Sequence, residues 1–442
     1  MKKRWLCGLM AMLFLCLTAC VQNPVATTTP SGSIATTNPI ETTAPDSYGY
    51  KVVEKPQNIP ATGWTDAKTI GIAPFASSAE GYFFLLDSQF LCFVDTASGY
   101  STFLCSKAGC KHNKETKATS CEAYVPGIVD IMFYQDEMIY YAALDFEYGW
   151  QLYGRNPDGT GLRKITTLGS RYFSQNTAAN LGSWAVDDDY LYYTVSVDGI
   201  EEIDEVFTYS YLYSALVRLN LANGKEEELF RVDDELITVN GVNEGMALLW
   251  MRYYNEEEAS DMENYQEYLK KYPAYLRLWS EETCGVSTLC EMDTVQNQQL
   301  IGFANGKLYY GNTDAGILNE YDFASGIFGK SELSQEITRM WAERYAAVKM
   351  KGYYDLQTGV YHENGYSNIQ LPTGITSFGA ALHDIGETGL IFQEYYSADH
   401  VVQFSNYAYV PFEALSDGMQ LSDRLIFMRW DESGHELIQP EG

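Results

Sequence analysis

Along the body of this chain, short aromatic or aliphatic runs alternate with short polar, turn-forming stretches, and one run recurs at a nearly fixed interval. It reads Tyr82-Phe83-Phe84, Ile139-Tyr140-Tyr141, Leu191-Tyr192-Tyr193, Leu248-Leu249-Trp250 and Leu308-Tyr309-Tyr310, with weaker copies at Leu390-Ile391-Phe392 and Leu425-Ile426-Phe427. Measured at positions 83, 140, 192, 249 and 309, the spacings are 57, 52, 57 and 60 residues. Gln135-Asp136-Glu137, Asp187-Asp188-Asp189 and Asn305-Gly306-Lys307 precede their runs as turns. A second signal, Asp or Asn followed a few residues later by Gly, comes after many of them. Copies are Asp95 to Gly99, Asn220 to Gly224, Asp322 to Gly326 and Asp355 to Gly359, with Asn156 to Gly161 in the same place of its unit. Asp and Asn hydrogen-bond their own backbone and Gly supplies positive φ, so these predict tight turns.

Each unit therefore reads strand, turn, strand, loop, strand, turn, strand. Four short antiparallel strands per repeat predict an all-β chain folded as a β-propeller. The length available, at roughly 55 residues per unit, predicts about seven blades, with six and eight left open. One stretch breaks the pattern. Residues 255–271 (NEEEASDMENYQEYLKK) are charged and free of Pro and Gly, with Glu256, Glu257 and Glu258 at the start and Lys270 and Lys271 at the end. That charge order suits a helix macrodipole and predicts one helical insertion between strands of a single blade.

The N-terminus follows different rules. Lys2, Lys3 and Arg4 precede an apolar run from Trp5 to Leu17, then Thr18, Ala19 and Cys20. A run of about thirteen apolar residues is short of the roughly 20 a membrane-spanning helix needs, and the layout is that of a secretory signal peptide. The Leu17-Thr18-Ala19-Cys20 sequence resembles the lipobox of bacterial lipoproteins. The resemblance implies cleavage after residue 19 and lipidation (palmitate among the acyl groups) of Cys20, which would place the chain on the outer face of the cell membrane. Two acyl chains give the lasting anchorage that one does not. Residues 21–47 are rich in Thr, Pro, Ser and Ala and nearly uncharged, a composition that cannot offset its ordering entropy by burial. The expected organisation is a signal peptide at 1–19, a lipidated tether at 20–47 and a propeller domain at 48–442.

Composition narrows the partners. The chain has 29 basic and 59 acidic side chains, and loss of the three leader cations leaves the mature chain at −33. Nucleic acid and anionic membrane surfaces need a basic footprint and are excluded as partners of the body. The 35 tyrosines, 20 phenylalanines and 8 tryptophans favour half-buried pleated positions and support the all-β reading.

Cys7 and Cys16 belong to the leader, which leaves Cys92, Cys105, Cys110, Cys121, Cys284 and Cys290 in the body. Cys105, Cys110, His112 and Cys121 crowd one short loop. Three thiolates and an imidazole form a closed tetrahedral zinc set, a structural rather than a catalytic one because no position stays open. An extracellular setting equally favours disulfide pairing among these thiols, and both readings stand. Cys284 and Cys290 flank Gly285 and are either a hairpin disulfide or two buried thiols.

The segment Phe103 to Tyr124 (FLCSKAGCKHNKETKATSCEAY), after its Asp-Thr-Ala-Ser-Gly turn, resembles a motif of uncharacterised propeller-like lipoproteins of Gram-positive anaerobes. Those proteins share the lipobox, the Thr-rich tether and repeats similar to a domain of unknown function named for its low-density-lipoprotein-receptor-like propeller. The resemblance implies place and fold, not a reaction.

Catalytic signatures are absent from the sequence. The histidines at 112, 362, 383, 400 and 435 are scattered, and no HExxH, GxSxG, P-loop or GxGxxG run occurs. The expected function is a membrane-anchored extracellular binding or scaffolding protein that recognises a peptide, glycan or envelope partner without catalysis. Two alternatives remain at this point: a propeller enzyme acting on polysaccharide, of lyase or glycosidase type, and a sensory ectodomain acting through a partner.

Overall fold

The structure is a computed structural model. It describes residues 49–440 apart from 57, 67–74, 113–120, 146, 188, 204–205, 261–264, 293–298, 313–314, 334–335, 342, 349–351, 364–370, 387 and 417–423. The signal peptide, Cys20 and the tether lie outside the described residues. Among the described residues no helix is long and apolar enough to cross a membrane.

Seven antiparallel sheets follow one another along the chain, each with strands paired in sequence order. We number them blades I to VII, at 75–103, 128–167, 177–232, 235–292, 299–330, 337–363 and 377–437. Seven apolar clusters occupy the seams, each shared by two consecutive blades. The seventh joins Phe75, Tyr82 and Phe84 of blade I to Ile391, Tyr407 and Phe427 of blade VII, which closes the ring. First strands of blades I and II, III and IV, and V and VI pack on one another, which sets the first strands at the axis with the later strands radiating outward. The fold is a seven-bladed β-propeller.

Two-sided burial explains the tandem aromatics. Successive side chains on a strand point to opposite faces. In the second strand of blade II (Met138–Asp145), Tyr140 fills the seam with blade III and Tyr141 the seam with blade I. Tyr192 and Tyr193 divide in the same way, as do Tyr309 and Tyr310. A strand with only one buried face would have no use for adjacent bulky rings. The Leu390 run is likewise a second strand (Gly389–Ala398), but the Leu425 run is the fourth strand of blade VII (Leu425–Asp431). The second strand of blade VI, Tyr345–Val348, instead reads Tyr-Ala-Ala-Val. Its small residues hid that repeat.

The Asp-to-Gly signals all join third and fourth strands. Asp95 accepts from the amide and hydroxyl of Ser98 at 2.6 and 2.7 Å, and the Gly99 amide donates to the Asp95 carbonyl at 2.8 Å. Gly99 has φ 78°, which an L side chain strains to adopt. Asp322 with Ser325 repeats this arrangement. The inner strands share another device. In blades II to VII the pairing of the first with the second strand slips by one residue, at Asp130, Ser183, Asn240, Ile301, Thr338 and His383. A bulge bends a strand and sharpens its twist, and in blades II, III and VII it re-aims a side chain at the next blade. Trp184 Nε1 donates to Asp130 at 3.2 Å, the Val239 amide donates to Ser183 Oγ at 3.0 Å, and the His383 ring lies 5.5 Å from Phe75.

Because strands alternate in direction, turns between first and second and between third and fourth strands share one face, the turn face. Connections between second and third strands, and between blades, share the opposite loop face. The N-terminal segment straps the turn face. Val52 pairs in parallel with Val286 on the outer strand of blade IV, and Lys55 Nζ donates to Tyr321 of blade V at 2.6 Å. Trp64 packs on both Phe303 and Phe323, which also touch each other, and the Gly63 amide donates to Glu343 of blade VI at 2.9 Å. Thr65–Asp66 then adds to the innermost strand of blade IV. The expected helical insertion is present on the loop face as two short helices, α1 (Glu256–Ser260) and α2 (Tyr265–Lys271), between the second and third strands of blade IV.

Asp355 is buried in the blade VI turn. Its bond from Arg344 (2.8 Å), aided by the Gln357 and Thr358 amides, overcomes burial and holds the carboxyl at about 2. A depressed carboxylate adds stability above its ordinary range near 4 and forfeits it as pH falls toward 2. Asp355→Asn is therefore expected to melt below the wild type at pH 7, with the gap narrowing between pH 4 and pH 2. Thermal unfolding at stepped pH measures it, and a gap independent of pH contradicts the assignment.

Candidate metal centre

The connection from blade I to blade II, residues 104–127, is where the sequence gathers its ligand-type side chains, and the fold brings all four together. The sulfurs of Cys105, Cys110 and Cys121 and a ring nitrogen of His112 all lie within 4.8 Å of one another. Backbone pairing fixes both ends of the loop. At the start, the Leu104 amide donates to the Leu91 carbonyl at 3.0 Å. At the end, the Leu91 amide donates to Ala123 at 2.8 Å and the Val125 amide to Gln89 at 2.7 Å. A turn from Lys107 to Cys110, with Gly109 at φ 74°, folds Cys110 back toward Cys105. The Ser106 amide and hydroxyl both donate to Glu122, at 2.9 and 2.8 Å, and tie the two halves together.

Blade II clamps the returning half. Arg155, fully buried, donates to the carbonyls of Glu122 and Tyr124 and reaches the Tyr141 hydroxyl. His112 adopts φ 47°, and its ring lies flat on Phe103 at 4.1 Å and 7°. Its Nε2 is buried with no hydrogen-bond partner.

The thiols differ in acidity. Burial pushes Cys105 up, but hydrogen bonds from His112 and from the Lys107, Glu122 and Ala123 amides outweigh it and bring the thiol down to about 6. Burial, with hydrogen bonding to Cys110 and Cys105, pushes Cys121 up to about 12. Without a cation Cys105 thus holds a thiolate easily and Cys121 resists becoming one.

The donor set fits zinc. Bond lengths of about 2.3 Å to sulfur and 2.0–2.1 Å to nitrogen place tetrahedral ligand atoms roughly 3.5–3.8 Å apart. A contraction of about 1 Å brings the widest observed pair to that value. The remaining thiols behave differently. Cys284 sits in the turn before the outer strand Gly285–Met292 of blade IV, and Cys290 lies farther along that strand. Six extended residues span about 20 Å, far beyond the Cα separation a disulfide allows. At that separation Cys284, which is exposed, and Cys290, which is half-buried, form neither the hairpin disulfide nor a pair of buried thiols. Burial pushes Cys290 up to about 12. Cys92 is fully buried in the seam of blades VII and I.

No protein-family model matches this sequence, and no curated protein matches it. The chain is similar in structure to a puromycin hydrolase S511A mutant (12% identity, TM-score 0.45, 83% of this chain and 55% of that one). It thus spans about half the length of that relative. It is also similar to oligogalacturonate lyase from Vibrio parahaemolyticus (9% identity, TM-score 0.42, 80% and 93%). TolB from Acinetobacter baumannii aligns at 10% identity and TM-score 0.31, over 78% and 77%. These likenesses concern fold.

The acidity order yields a direct test. In metal-free protein at pH 7, Cys105 is expected to be alkylated by iodoacetamide well ahead of Cys121, because the thiolate is the nucleophile. Peptide mapping after timed quenching measures this, and equal rates contradict it.

Proposed function

We propose that this chain is a non-catalytic binding propeller held on the outer face of the cell membrane by lipidated Cys20, with a structural zinc in its blade I–II connection. One observation carries the binding reading. The N-terminal strap occupies the turn face, while the metal loop, the α1–α2 insertion and the extended hairpin of blade III all project from the loop face. The loop face is thus the most elaborated surface of the propeller, which suits a receptor for a peptide, glycan or envelope protein.

The case for zinc over a disulfide rests on His112. A disulfide joins two thiols and leaves the third thiol and the buried Nε2 unsatisfied, and such a group costs about 1–3 kcal/mol. A metal satisfies all four donors and offsets the repulsion among thiolates. It would tie together the two described halves of the loop, 104–112 and 121–127.

Two measurements on the mature protein test these points. Elemental analysis is expected to find close to one zinc per chain, lost in Cys110→Ser along with several degrees of thermal stability. Absence of both metal and reactive thiols would reassign the loop to disulfides. A glycan and peptide array combined with product analysis is expected to show retention without turnover. Release of oligosaccharide would sink the binding reading in favour of an enzyme.

A further inference from the structure

The second and third strands of blade III, Tyr190–Ile203 and Val206–Asn220, run far beyond their neighbours. The last pair with the first strand is Thr177 with Gly199, and the fourth strand begins to pair at Ser214. The Ile200 amide still donates to the Asn176 carbonyl at 2.8 Å, and from Glu201 outward the described residues of the two strands pair only with each other, as a ribbon on the loop face. A lone two-stranded ribbon is marginal in water. This one nevertheless exposes large rings, with Phe207 44% and Tyr209 49% accessible.

Residues directly opposite in an antiparallel pair share a face. The register sets Glu202 beside Phe207, Ile200 beside Tyr209 and Asp198 beside Tyr211. One face of the ribbon is therefore a strip of alternating carboxylates and apolar groups. The insertion of blade IV continues it. The Tyr211 amide donates to Glu256 at 3.0 Å, and the Tyr211 ring meets Tyr254 edge-on at 4.9 Å.

The charge on this wall has one sign. Residues 198–212 carry five acidic and no basic side chains, and residues 254–273 carry six acidic and two basic ones. Those two, Lys270 and Lys271, are held by Glu267 and Glu258 of the same insertion, each at 2.8 Å. Among the described residues Asp198, Glu201, Glu202 and Glu256 make no ion pair. Burial and the nearby Glu256 carboxylate raise the Asp198 carboxyl, as expected where two acids face each other without a cation.

We propose that the blade III ribbon and the blade IV insertion form a docking surface for a lysine- or arginine-bearing polypeptide segment. This rests on reading the propeller as a binding module and names its ligand class. Long basic side chains lay an apolar stem along aromatic surface while the cation meets carboxylates and ring faces. Phe207 and Tyr209 supply the first requirement, and Glu202, Asp198 and Glu256 the second. A neutral glycan would stack on the rings and hydrogen-bond the carboxylates through its hydroxyls but would leave their negative charge uncompensated.

A chain at −33 attracts any polycation, so the test must separate this strip from general attraction. A labelled alternating Lys-Leu decapeptide, with its Glu-Leu counterpart as control, is titrated by anisotropy into the zinc-loaded mature protein at two salt concentrations. Wild type is expected to bind the Lys-Leu peptide alone, more weakly at high salt. Phe207→Ser with Tyr209→Ser, and separately Glu202→Gln with Glu256→Gln, are expected to weaken binding at least tenfold with unchanged melting temperatures. Glu432→Gln with Glu436→Gln removes the same charge from exposed sites of blade VII and is expected to change it less than threefold. Equal losses in the two charge variants, or no peptide binding, overturn the proposal. Glycan retention without peptide binding overturns the ligand class while leaving the binding propeller intact; substrate turnover overturns the propeller reading itself.

Discussion

Every sheet in this molecule is buried on both faces, and much of the rest follows from that constraint. A sheet in a sandwich can leave one face to water, so its strands alternate apolar and polar residues. Here the second strand of each blade supplies two seams at once. Paired bulky residues such as Tyr140-Tyr141 and Tyr192-Tyr193 answer that need with one ring for each side. The first strands crowd at the axis, and the bulges at Asp130, Ser183 and His383 each send a polar or aromatic contact to the following blade.

The constraint is hardest to meet where the chain ends must join. No strand is shared between the last blade and the first, so side chains close the ring. Tyr82 donates to the Gly389 carbonyl, and the Gln439 side-chain amide both donates to and accepts from the Ser101 backbone, at 2.7 and 3.3 Å. His435 meets Asp87 at 2.7 Å. Cys121 belongs to the apolar cluster of this same seam, with Cys105 and Cys110 packed against it, while Arg155 holds the loop from blade II. The four-ligand loop therefore sits at the junction of three blades. An ion bound there would stiffen the part of the ring with the least backbone continuity.

Much of this architecture was legible in the sequence because its cause is periodic. The aromatic runs and Asp-to-Gly turns mark the second strand and the turn after the third in most blades, and division by repeat length predicts seven. Blade VI escaped the pattern because Ala346 and Ala347 stand where other blades place rings, and the Leu425 run misled because an outer strand against a neighbour can be equally apolar. The Cys105, Cys110, His112 and Cys121 set was visible as local spacing. Its meeting with the closing seam depends on contacts between opposite ends of the chain, which no local pattern carries. The ribbon had a signal that went unread: from Tyr190 to Asn220 the sequence contains neither Pro nor the usual turn spacing, as a pair of strands twice the normal length requires. Cys284 and Cys290 show the converse limit, since closeness in sequence becomes separation once the backbone is extended.

The strap across the turn face also sets how the molecule bears load. Along the chain Tyr50 is anchored first, by Arg277 of blade IV and against the edge of Phe230 of blade III, and the parallel bridge of Val52 with Val286 follows. Behind it the load divides among Lys55 on blade V, Trp64 on Phe303 and Phe323, and the Gly63 contact with blade VI. These contacts lie on blades III, IV, V and VI, so a pull on the N-terminal segment is shared by four blades before it bears on the seam that closes the ring.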